Sequence, residues 1–357
     1  MRKSAVAGAV ASLALTACGG ESGEENIELN VASWATPESI SEYMGNWWYQ
    51  EIEERTDGRL TFNVAAGDSL CSSSEIPECV RDGRADVGQT LTDYSSQLFP
   101  MASVASIPFL NPNSFAVTNA IYDLSTEHEG AAQLWDENGL RMIAHVPPGR
   151  LLLGGDTELS SLDDLEGLRL RMAGQYAHHA VEAAGASPIS LTAPETYEGI
   201  ERGVADAAGF PLDGLIAYQL KDVLPKWTDP GVGTYTTIGM WINQDVYDGL
   251  PDDLREVVDE VTEEFNRNEA ARINTEVLTD ICDRSLETIG EITQWDEEEA
   301  QRWSDELGTS LEELWIEEAE RDGLEDPEGY LEAYKEKLDE YQGEVEQDPT
   351  IACAERQ

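Results

Sequence analysis

One predicted strand carries the side chain best suited to bind an anion. In residues 168–172, three apolar residues alternate with Arg169 and Arg171, which is the period-two pattern of a strand with one buried face. Gly167 precedes this strand, and a helix is predicted to follow from about Gln175 to Ala184. Ligands of open α/β sheets bind beyond the carboxyl ends of such strands, and Arg171 stands near that end. Its guanidinium could meet an anion there; the alternative is a surface arginine paired with a neighbouring acid.

The composition limits the class of protein. The chain has 357 residues, enough for two domains, and its 41% hydrophobic content with nine Trp favours a folded globular protein. A formal net charge of -50 argues against nucleic acid and anionic lipid as partners, because both would be repelled. The same charge suits a surface made for high salt, where the Debye length falls to about 3 Å at 1 M. The sequence therefore favours a halophilic or salt-tolerant source.

This charge leads to a prediction about salt. Acidic residues number 72 against 22 Lys and Arg, so like-charge repulsion should destabilise the folded state in dilute buffer. We expect the melting temperature to rise as NaCl goes from low to molar concentration. Thermal melts across that range test it, and a flat or falling curve would contradict an adaptation of the surface to salt.

The first residues have the features of an export signal. Arg2–Lys3 is a short positive region, and the apolar segment Ala5–Leu15 is too short to span a bilayer. Leu15–Cys18, followed by two glycines, resembles a bacterial lipobox in which Cys18 becomes the lipidated first residue; the alternative is a chance cysteine near an ordinary cleavage site. Residues 1–18 are therefore predicted to be a lipoprotein signal peptide with its lipobox and 19–26 a polar tether. The expected location is extracytoplasmic, with membrane contact only through the lipid.

Export also changes what the cysteines can do. Without Cys18, four cysteines remain in an oxidising compartment. Cys71 and Cys79 are close in sequence, and Cys282 and Cys353 form the remaining pair, so two disulfides are expected; the alternative is free buried thiols. No Cys/His spacing typical of a metal site is present, and no metal is expected.

The order of predicted elements indicates the fold class. Strands and helices alternate along the first part of the chain, which predicts an α/β fold with a parallel, doubly wound sheet. A later strand could return the chain to this first domain, and long acidic helices begin at about Leu250. The predicted elements are strands at Ile27–Ser33, Leu60–Val64, Ala85–Gln89, Leu140–Val146 and Tyr235–Ile242, and helices at Glu38–Arg55, Glu75–Asp82 and Phe115–Leu124.

Little in the sequence supports catalysis. There are four histidines, but no nucleophile elbow, phosphate loop or dinucleotide fingerprint accompanies them. Asp163–Asp164 and Glu195 could act as acids in an exported hydrolase, although 72 carboxylates make chance pairings common. We therefore expect neither an enzyme nor a cofactor.

Short motifs spread over most of the mature chain resemble the extracytoplasmic solute-binding proteins of TRAP (tripartite ATP-independent periplasmic) transporters. None is diagnostic alone, but their order and spacing are specific together. They are Gly58–Leu60, Val80–Asp86, Ile107–Leu110, Leu165–Arg171, Gly185–Pro188, Glu195–Tyr197, Gly203–Asp206 and Leu250–Pro251.

The resemblance implies a two-lobe, periplasmic-binding-protein-like fold. In that fold, two α/β lobes with doubly wound sheets are joined by crossing segments and a long C-terminal helical region, and they close on a ligand between them. The expected division is lobe I at 27–147 plus about 238–277, lobe II at 148–237 plus about 278–345, and a C-terminal tail at 346–357.

The resemblance also implies site residues. The second Arg of the Leu-x-Leu-Arg strand is the family's carboxylate anchor, here Arg171, and Arg150 stands where an assisting Arg often follows the first crossing. Two positions that carry Asn in sialic-acid-binding members hold Phe210 and, roughly, Trp34, which disfavours a sugar acid. The expected pocket walls are Trp34, Tyr94, Phe210 and Trp241, each of which could instead be a core residue.

The function implied is capture of a small carboxylate-containing solute and its delivery to TRAP membrane permease subunits. The ligand expected is a small or partly apolar organic acid, such as an oxo acid, an aromatic acid or a zwitterion like ectoine. The alternatives are an exported acidic hydrolase and a sensor receptor that uses the same fold.

Overall fold

The computed structural model describes residues 26–344 and 348–356. The predicted signal peptide, Cys18 and the tether up to residue 25 lie outside the described residues. Within the described ranges, no helix is both long and apolar enough to cross a membrane.

The described chain alternates between strands and helices. In chain order the strands are β1 (Ile27–Ser33), β2 (Leu60–Ala65), β3 (Val87–Leu91), β4 (Leu140–Val146), β5 (Leu152–Gly155), β6 (Arg169–Met172), β7 (Ser187–Ser190), β8 (Ala207–Phe210), β9 (Lys226–Asp229), β10 (Ile238–Asn243) and β11 (Ile292–Gln294). The α-helices are α1 (Ile40–Arg55), α2 (Ile76–Arg81), α3 (Pro100–Ser103), α4 (Ser114–Glu127), α5 (Glu129–Asn138), α6 (Gln175–Ala183), α7 (Ala193–Glu201), α8 (Gly214–Ala217), α9 (Gln244–Gly249), α10 (Asp252–Glu264), α11 (Ala270–Ile289), α12 (Glu297–Leu307), α13 (Ser310–Arg321), α14 (Pro327–Tyr341) and α15 (Pro349–Ala354).

Lobe I is built on a five-stranded sheet in the order β2-β1-β3-β10-β4. Strands β1, β2 and β3 are parallel, as predicted, but β10 lies antiparallel to both β3 and β4. The parallel arrangement predicted for the first part of the chain therefore holds for β1 to β4, but the sheet as a whole is mixed because of β10. The reason is that β10 follows a crossing from the other lobe, so it runs through this sheet in the opposite direction. Its predicted return to the first domain is confirmed.

Lobe II is built on a six-stranded sheet in the order β11-β9-β5-β8-β6-β7. Strand β6, which carries the arginine of interest, is parallel to β7 and β8 on either side. Strand β5 is antiparallel to β8 and β9, because it also arrives directly from the other lobe. The carboxyl ends of β6, β7 and β8 thus lie at one edge of the sheet, which is where ligands of such sheets bind.

Three connections join the lobes. Residues 147–151 lead from β4 to β5, and residues 230–237 lead from β9 to β10; the two segments pair at an isolated bridge between Arg150 and Thr234. The third is the long helical stretch of α10 and α11, joined by a π-helical turn at Phe265–Glu269. Helix α11 packs against α1 in lobe I and against α8 in lobe II. The mixed α/β architecture with two sheets and a helical C-terminal region confirms the predicted fold class, while the residue boundaries of the lobes stay a prediction.

Both expected disulfides are present. Cys71 is bonded to Cys79, and Cys282 on α11 is bonded to Cys353 on α15. The second bond holds the C-terminal helix against α11. Helix α5 is an element that the sequence analysis did not predict.

Candidate ligand-binding site between the lobes

The strand β6 presents two arginines in very different surroundings. Arg169 is exposed and forms a bidentate pair with Asp206, its Nε donating to Oδ2 at 2.9 Å and its Nη2 to Oδ1 at 2.5 Å. Arg171, two residues further along, is only 1% exposed. The alternative considered for Arg171, a surface arginine paired with an acid, therefore describes Arg169 instead. Arg171 lies inside the protein.

The hydrogen bonds of Arg171 all go to neutral oxygens. Its Nε donates to the Leu191 carbonyl at 3.0 Å, its Nη1 donates to the Gly209 carbonyl at 3.0 Å, and its Nη2 lies 3.5 Å from the Tyr94 hydroxyl. Nothing in the described chain places a carboxylate at ion-pair distance from this guanidinium. Because an arginine side chain has five N–H donors and a buried charge is costly without a counter-ion, the site favours an anion.

Four aromatic rings lie around Arg171, and we call them the aromatic cluster: Trp34, Tyr94, Phe210 and Tyr218. The Arg171 Cζ lies 4.2 Å from the centre of the Phe210 ring. Tyr218 lies 5.8 Å from Phe210, and Trp34 lies 6.1 Å from both Tyr94 and Tyr218, measured between ring centres. Trp34 and Tyr94 belong to lobe I, and the other two belong to lobe II, so the cluster forms only when the lobes meet.

A donor within the cluster lacks a partner. Trp34 is 5% exposed, and its Nε1 has no hydrogen-bond acceptor among the described residues. Buried polar groups are nearly always hydrogen-bonded in folded proteins, so an unpaired indole N–H in this cluster is unusual.

A cavity of about 380 Å³ opens beyond the carboxyl ends of β6 and β7. Of the aromatic cluster, Tyr94 lines this cavity; Arg171 does not line it, but Tyr94 and Leu191, which both contact Arg171, do. Glu195 at the start of α7 is a further wall residue. This volume falls in the range of small-molecule sites, roughly 300–1,000 Å³. A hollow of about 880 Å³ lies instead on the outer side of lobe I, between α4 and α10, and is lined mostly by polar and acidic side chains.

Two carboxyl groups lie close to the cluster: Asp213 is 5% exposed, and Asp93 is partly buried. Asp93 accepts a hydrogen bond from the Thr236 hydroxyl at 2.5 Å, and burial raises the pKa of its carboxyl group. Asp213 accepts one from the backbone N–H of Ile40 at 3.1 Å, and burial raises the pKa of its carboxyl group to about 7. Burial likewise raises the pKa of the Tyr94 hydroxyl to about 12, partly offset by Arg171. Near the aromatic cluster, one cation, Arg171, therefore lies with two acids, Asp93 and Asp213, that burial disfavours in charged form.

Three of the four expected pocket walls, Trp34, Tyr94 and Phe210, lie in the aromatic cluster. Tyr94 and Phe210 contact Arg171, and Trp34 contacts Tyr94. Tyr218 and Asp213 were not predicted from the sequence, because neither lies in one of the family-like motifs. Both reach the cluster only through tertiary packing.

Arg150 is placed differently from the expectation. Its Nε donates to Asp229 Oδ2 at 3.0 Å and its Nη2 to Oδ1 at 3.4 Å, and the Asp229 side chain is 2% exposed. This ion pair ties the first crossing to the end of β9. The Arg150 guanidinium already has Asp229 as its counter-ion, so we do not propose that it binds the ligand.

Trp241 is not a wall of the cleft. It is fully buried within lobe I, where it stacks on Phe99 with ring centres 4.4 Å apart. Its Nε1 donates to His145 Nε2 at 3.1 Å, and burial lowers the pKa of His145 to about 3, so this ring is a neutral acceptor. Trp241 was expected to be a pocket wall, but it lies on β10, which is flanked on both sides by other strands of the lobe I sheet.

The acids considered for a hydrolase have structural partners. Asp163 pairs with Arg302 at 2.7 Å. Asp164 accepts from the backbone N–H of Ser161 at 2.9 Å, and Glu195 accepts from that of Thr192 at 2.8 Å, so both complete capping boxes at helix starts. Across 26–344 and 348–356, no group of three or more His, Cys, Asp or Glu side chains could hold a metal ion.

Comparison with known proteins agrees with this architecture. The family described as bacterial extracellular solute-binding protein, family 7 (DctP), matches residues 31–318. The ectoine-binding periplasmic protein TeaA of Halomonas elongata is 26% identical over 333 residues, which cover 86% of this chain and 94% of that protein.

Solved structures show the same fold. A TRAP solute-binding protein from Rhodoferax ferrireducens, in complex with copurified benzoate, aligns with a TM-score of 0.81 and 19% identity over 90% of this chain and 100% of that one. A TRAP periplasmic solute-binding protein from Bordetella bronchiseptica with bound mandelate aligns with a TM-score of 0.75 and 24% identity, covering 88% and 99% of the two chains. From the family match over most of its length, the chain belongs to the family 7 extracellular solute-binding proteins, the ligand-capturing components of TRAP transporters.

Proposed function

We propose that this protein captures a small monocarboxylate with a flat or ring-shaped body, and that Arg171 holds the carboxylate. The observation that carries the proposal is a buried guanidinium that has only neutral hydrogen-bond partners and lies against an aromatic ring. A ligand carboxylate would supply the missing counter-ion. The planar guanidinium matches a carboxylate geometrically, and the dry surroundings strengthen the pair.

The body of the ligand would lie against the aromatic cluster. Rings favour other flat or apolar surfaces, and offset or edge-to-face aromatic pairs are worth about 0.5–1.5 kcal/mol beyond the area they bury. Trp34 Nε1 adds a donor for one polar atom of the ligand.

The buried acids argue against a second carboxylate on the ligand. Asp93 and Asp213 lie near the cluster, and a further anion would be repelled by either of them when ionised. A neutral or cationic far end is compatible with both. The relatives named above, which bind ectoine, benzoate and mandelate according to their descriptions, are consistent with this class.

A matched ligand panel tests the proposal. Calorimetric titration and thermal shift would compare three ring-bearing monocarboxylates, benzoate, mandelate and ectoine, with the dicarboxylate succinate. A second comparison, of benzoate with cyclohexanecarboxylate, varies only whether the ring is aromatic. We expect at least one ring-bearing monocarboxylate to bind and succinate not to; a ligand present at 100 times its Kd should stabilise the protein by about 2.7 kcal/mol. Preferential binding of succinate would contradict the proposal. Recovery of the bound ligand chemically unchanged is expected, and its turnover would instead support the hydrolase alternative.

The protein would act outside the cytoplasm and pass its ligand to TRAP membrane subunits. We further propose that it is held at the membrane by a lipid on Cys18, as the lipobox-like Leu15–Cys18 suggests. Mass spectrometry of the N-terminal peptide from membranes tests this, and an unmodified N-terminus beyond Cys18 would contradict it.

A further inference from the structure

A short segment of lobe I meets lobe II and the long helix at the start of α1. The Thr36 hydroxyl donates to the Ala217 carbonyl at 3.4 Å. Arg284 Nη2 on α11 donates to Glu38 Oε1 at 2.6 Å. The backbone N–H of Ile40 donates to Asp213 Oδ2 at 3.1 Å. The contacts of Thr36 and Ile40 join the two lobes, and that of Glu38 joins lobe I to the long helix.

The bond between Ile40 and Asp213 is the buried one of the three. Asp213 is 5% exposed and Ile40 is fully buried, whereas the side chains of Glu38 and Arg284 are 49% and 37% exposed. Exposed ion pairs contribute little, because solvent screens them. A buried N–H that loses its acceptor is expensive, so Asp213 dominates this contact.

The bond is not needed to build α1 itself. The first N–H groups of a helix have no partner inside the helix, and Ser39 already caps this one by accepting from the Glu42 N–H at 3.3 Å. Asp213 is therefore an additional acceptor, and it comes from α8's start in the other lobe.

The opposite lobe shows the same arrangement. The Tyr94 hydroxyl of lobe I accepts from the backbone N–H of Ala193 at 2.8 Å, and Ala193 is the first residue of α7 in lobe II. Each lobe thus supplies a side-chain oxygen to the first N–H of a helix in the other. Two such bonds between the lobes would hold the cleft shut.

We propose that Asp213 stabilises the closed arrangement of the lobes through its bond to Ile40, and that it raises ligand affinity without contacting the ligand. When the cleft opens, water can satisfy both groups. When Asp213 is removed, closure instead buries the Ile40 N–H without an acceptor. Because apparent affinity scales with the fraction of molecules in the binding-competent state, a smaller closed fraction weakens binding in proportion.

A ligand-free trapping experiment tests this. Gln175 Nε2 of lobe II lies 3.5 Å from the Ser96 hydroxyl of lobe I, and both side chains are half-buried. Cysteines placed at these two positions in the mature chain could be joined by a short bis-methanethiosulfonate cross-linker. The cross-linking rate would depend on the fraction of molecules whose lobes are closed. The four native cysteines of the described chain are already bonded in two disulfides. In this background we expect Asp213→Ala to slow cross-linking roughly five- to 100-fold, as the loss of one buried acceptor predicts.

Matched variants separate closure from general destabilisation. Ser39→Ala removes the cap of the same helix within lobe I, so it should lower the melting temperature and leave the trapping rate unchanged. Asp213→Asn keeps an acceptor oxygen and should trap near the parent rate. Ile40→Pro removes the donor instead: proline is tolerated at the first helical position, and Ser39, at φ -75° and ψ 147°, already has the backbone that precedes proline.

Ile40→Pro should slow trapping as Asp213→Ala does, and it replaces that variant if Asp213→Ala does not fold. Trapping of either variant at the parent rate would overturn the proposal, as would equal slowing by Ser39→Ala. Because no ligand is present, these outcomes do not depend on the ligand class proposed above.

Discussion

Replacing Arg171 with alanine is expected to weaken ligand binding by roughly 30-fold to several thousand-fold, equivalent to about 2–5 kcal/mol. The ligand carboxylate would then be buried in the closed cleft without its counter-ion. Arg171→Lys should fall between alanine and the wild type, because it keeps a charge but loses the planar fork that also reaches the Leu191 and Gly209 carbonyls. Calorimetric titration with the best-bound acid of the panel measures both.

Arg169→Ala is the matched control for this prediction. Arg169 lies on the same strand, but it is exposed and already paired with Asp206, so its loss should change affinity little. Circular dichroism and thermal melts would establish that each variant is folded before titration. If Arg171→Ala bound within a few-fold of the wild type, the carboxylate would be held elsewhere and the proposed site would be wrong.

Removing the Cys282–Cys353 disulfide by a double serine substitution should lower the free energy of unfolding by up to about 4 kcal/mol. The bond closes a long loop, with a sequence separation of 71 residues, so it removes much of the freedom of the unfolded chain. It also holds α15 in place, where Thr350 is fully buried and lies beside Gly149 of the first crossing. Denaturant unfolding under non-reducing conditions measures the change.

The other disulfide provides the comparison. Cys71 and Cys79 are separated by only eight residues, for which the same chain-entropy relation gives about 2.5 kcal/mol. We therefore expect the Cys71→Ser, Cys79→Ser variant to lose less stability than the Cys282→Ser, Cys353→Ser variant. The reverse order, or no loss from the longer loop, would contradict this account of the C-terminal helix.

Local patterns predicted much of the fold. The bounds of β1 and β4 agree with the predicted strands, because the residues that indicate a strand are neighbours in the sequence. The capping box that begins α7 is also visible in the sequence, because Thr192 and Glu195 are only three residues apart. The two cysteine pairs followed from export and from the number of cysteines that remain.

Local patterns could not predict contacts between segments that are far apart in the sequence. The antiparallel insertion of β10 between β3 and β4 depends on a crossing from the other lobe. Trp241 became a core residue, and Arg150 acquired Asp229 as its counter-ion, because distant segments meet at these positions. Nothing in the residues next to Tyr218 or Asp213 indicates that either will lie at the junction of the lobes.

The sequence by itself determined that the chain is an acidic α/β protein with an arginine near the end of a strand, since these properties depend on composition and on short-range periodicity. The expectation of two lobes came from the resemblance to TRAP solute-binding proteins. Only the tertiary structure decided which arginine of that strand is buried without an acid. Arg169 and Arg171 have the same local pattern, but Asp206 reaches the first, while Tyr94, Leu191 and Gly209 surround the second with neutral oxygens. The charge state of a site depends on which side chains fold around it, and those come from segments far apart in the chain.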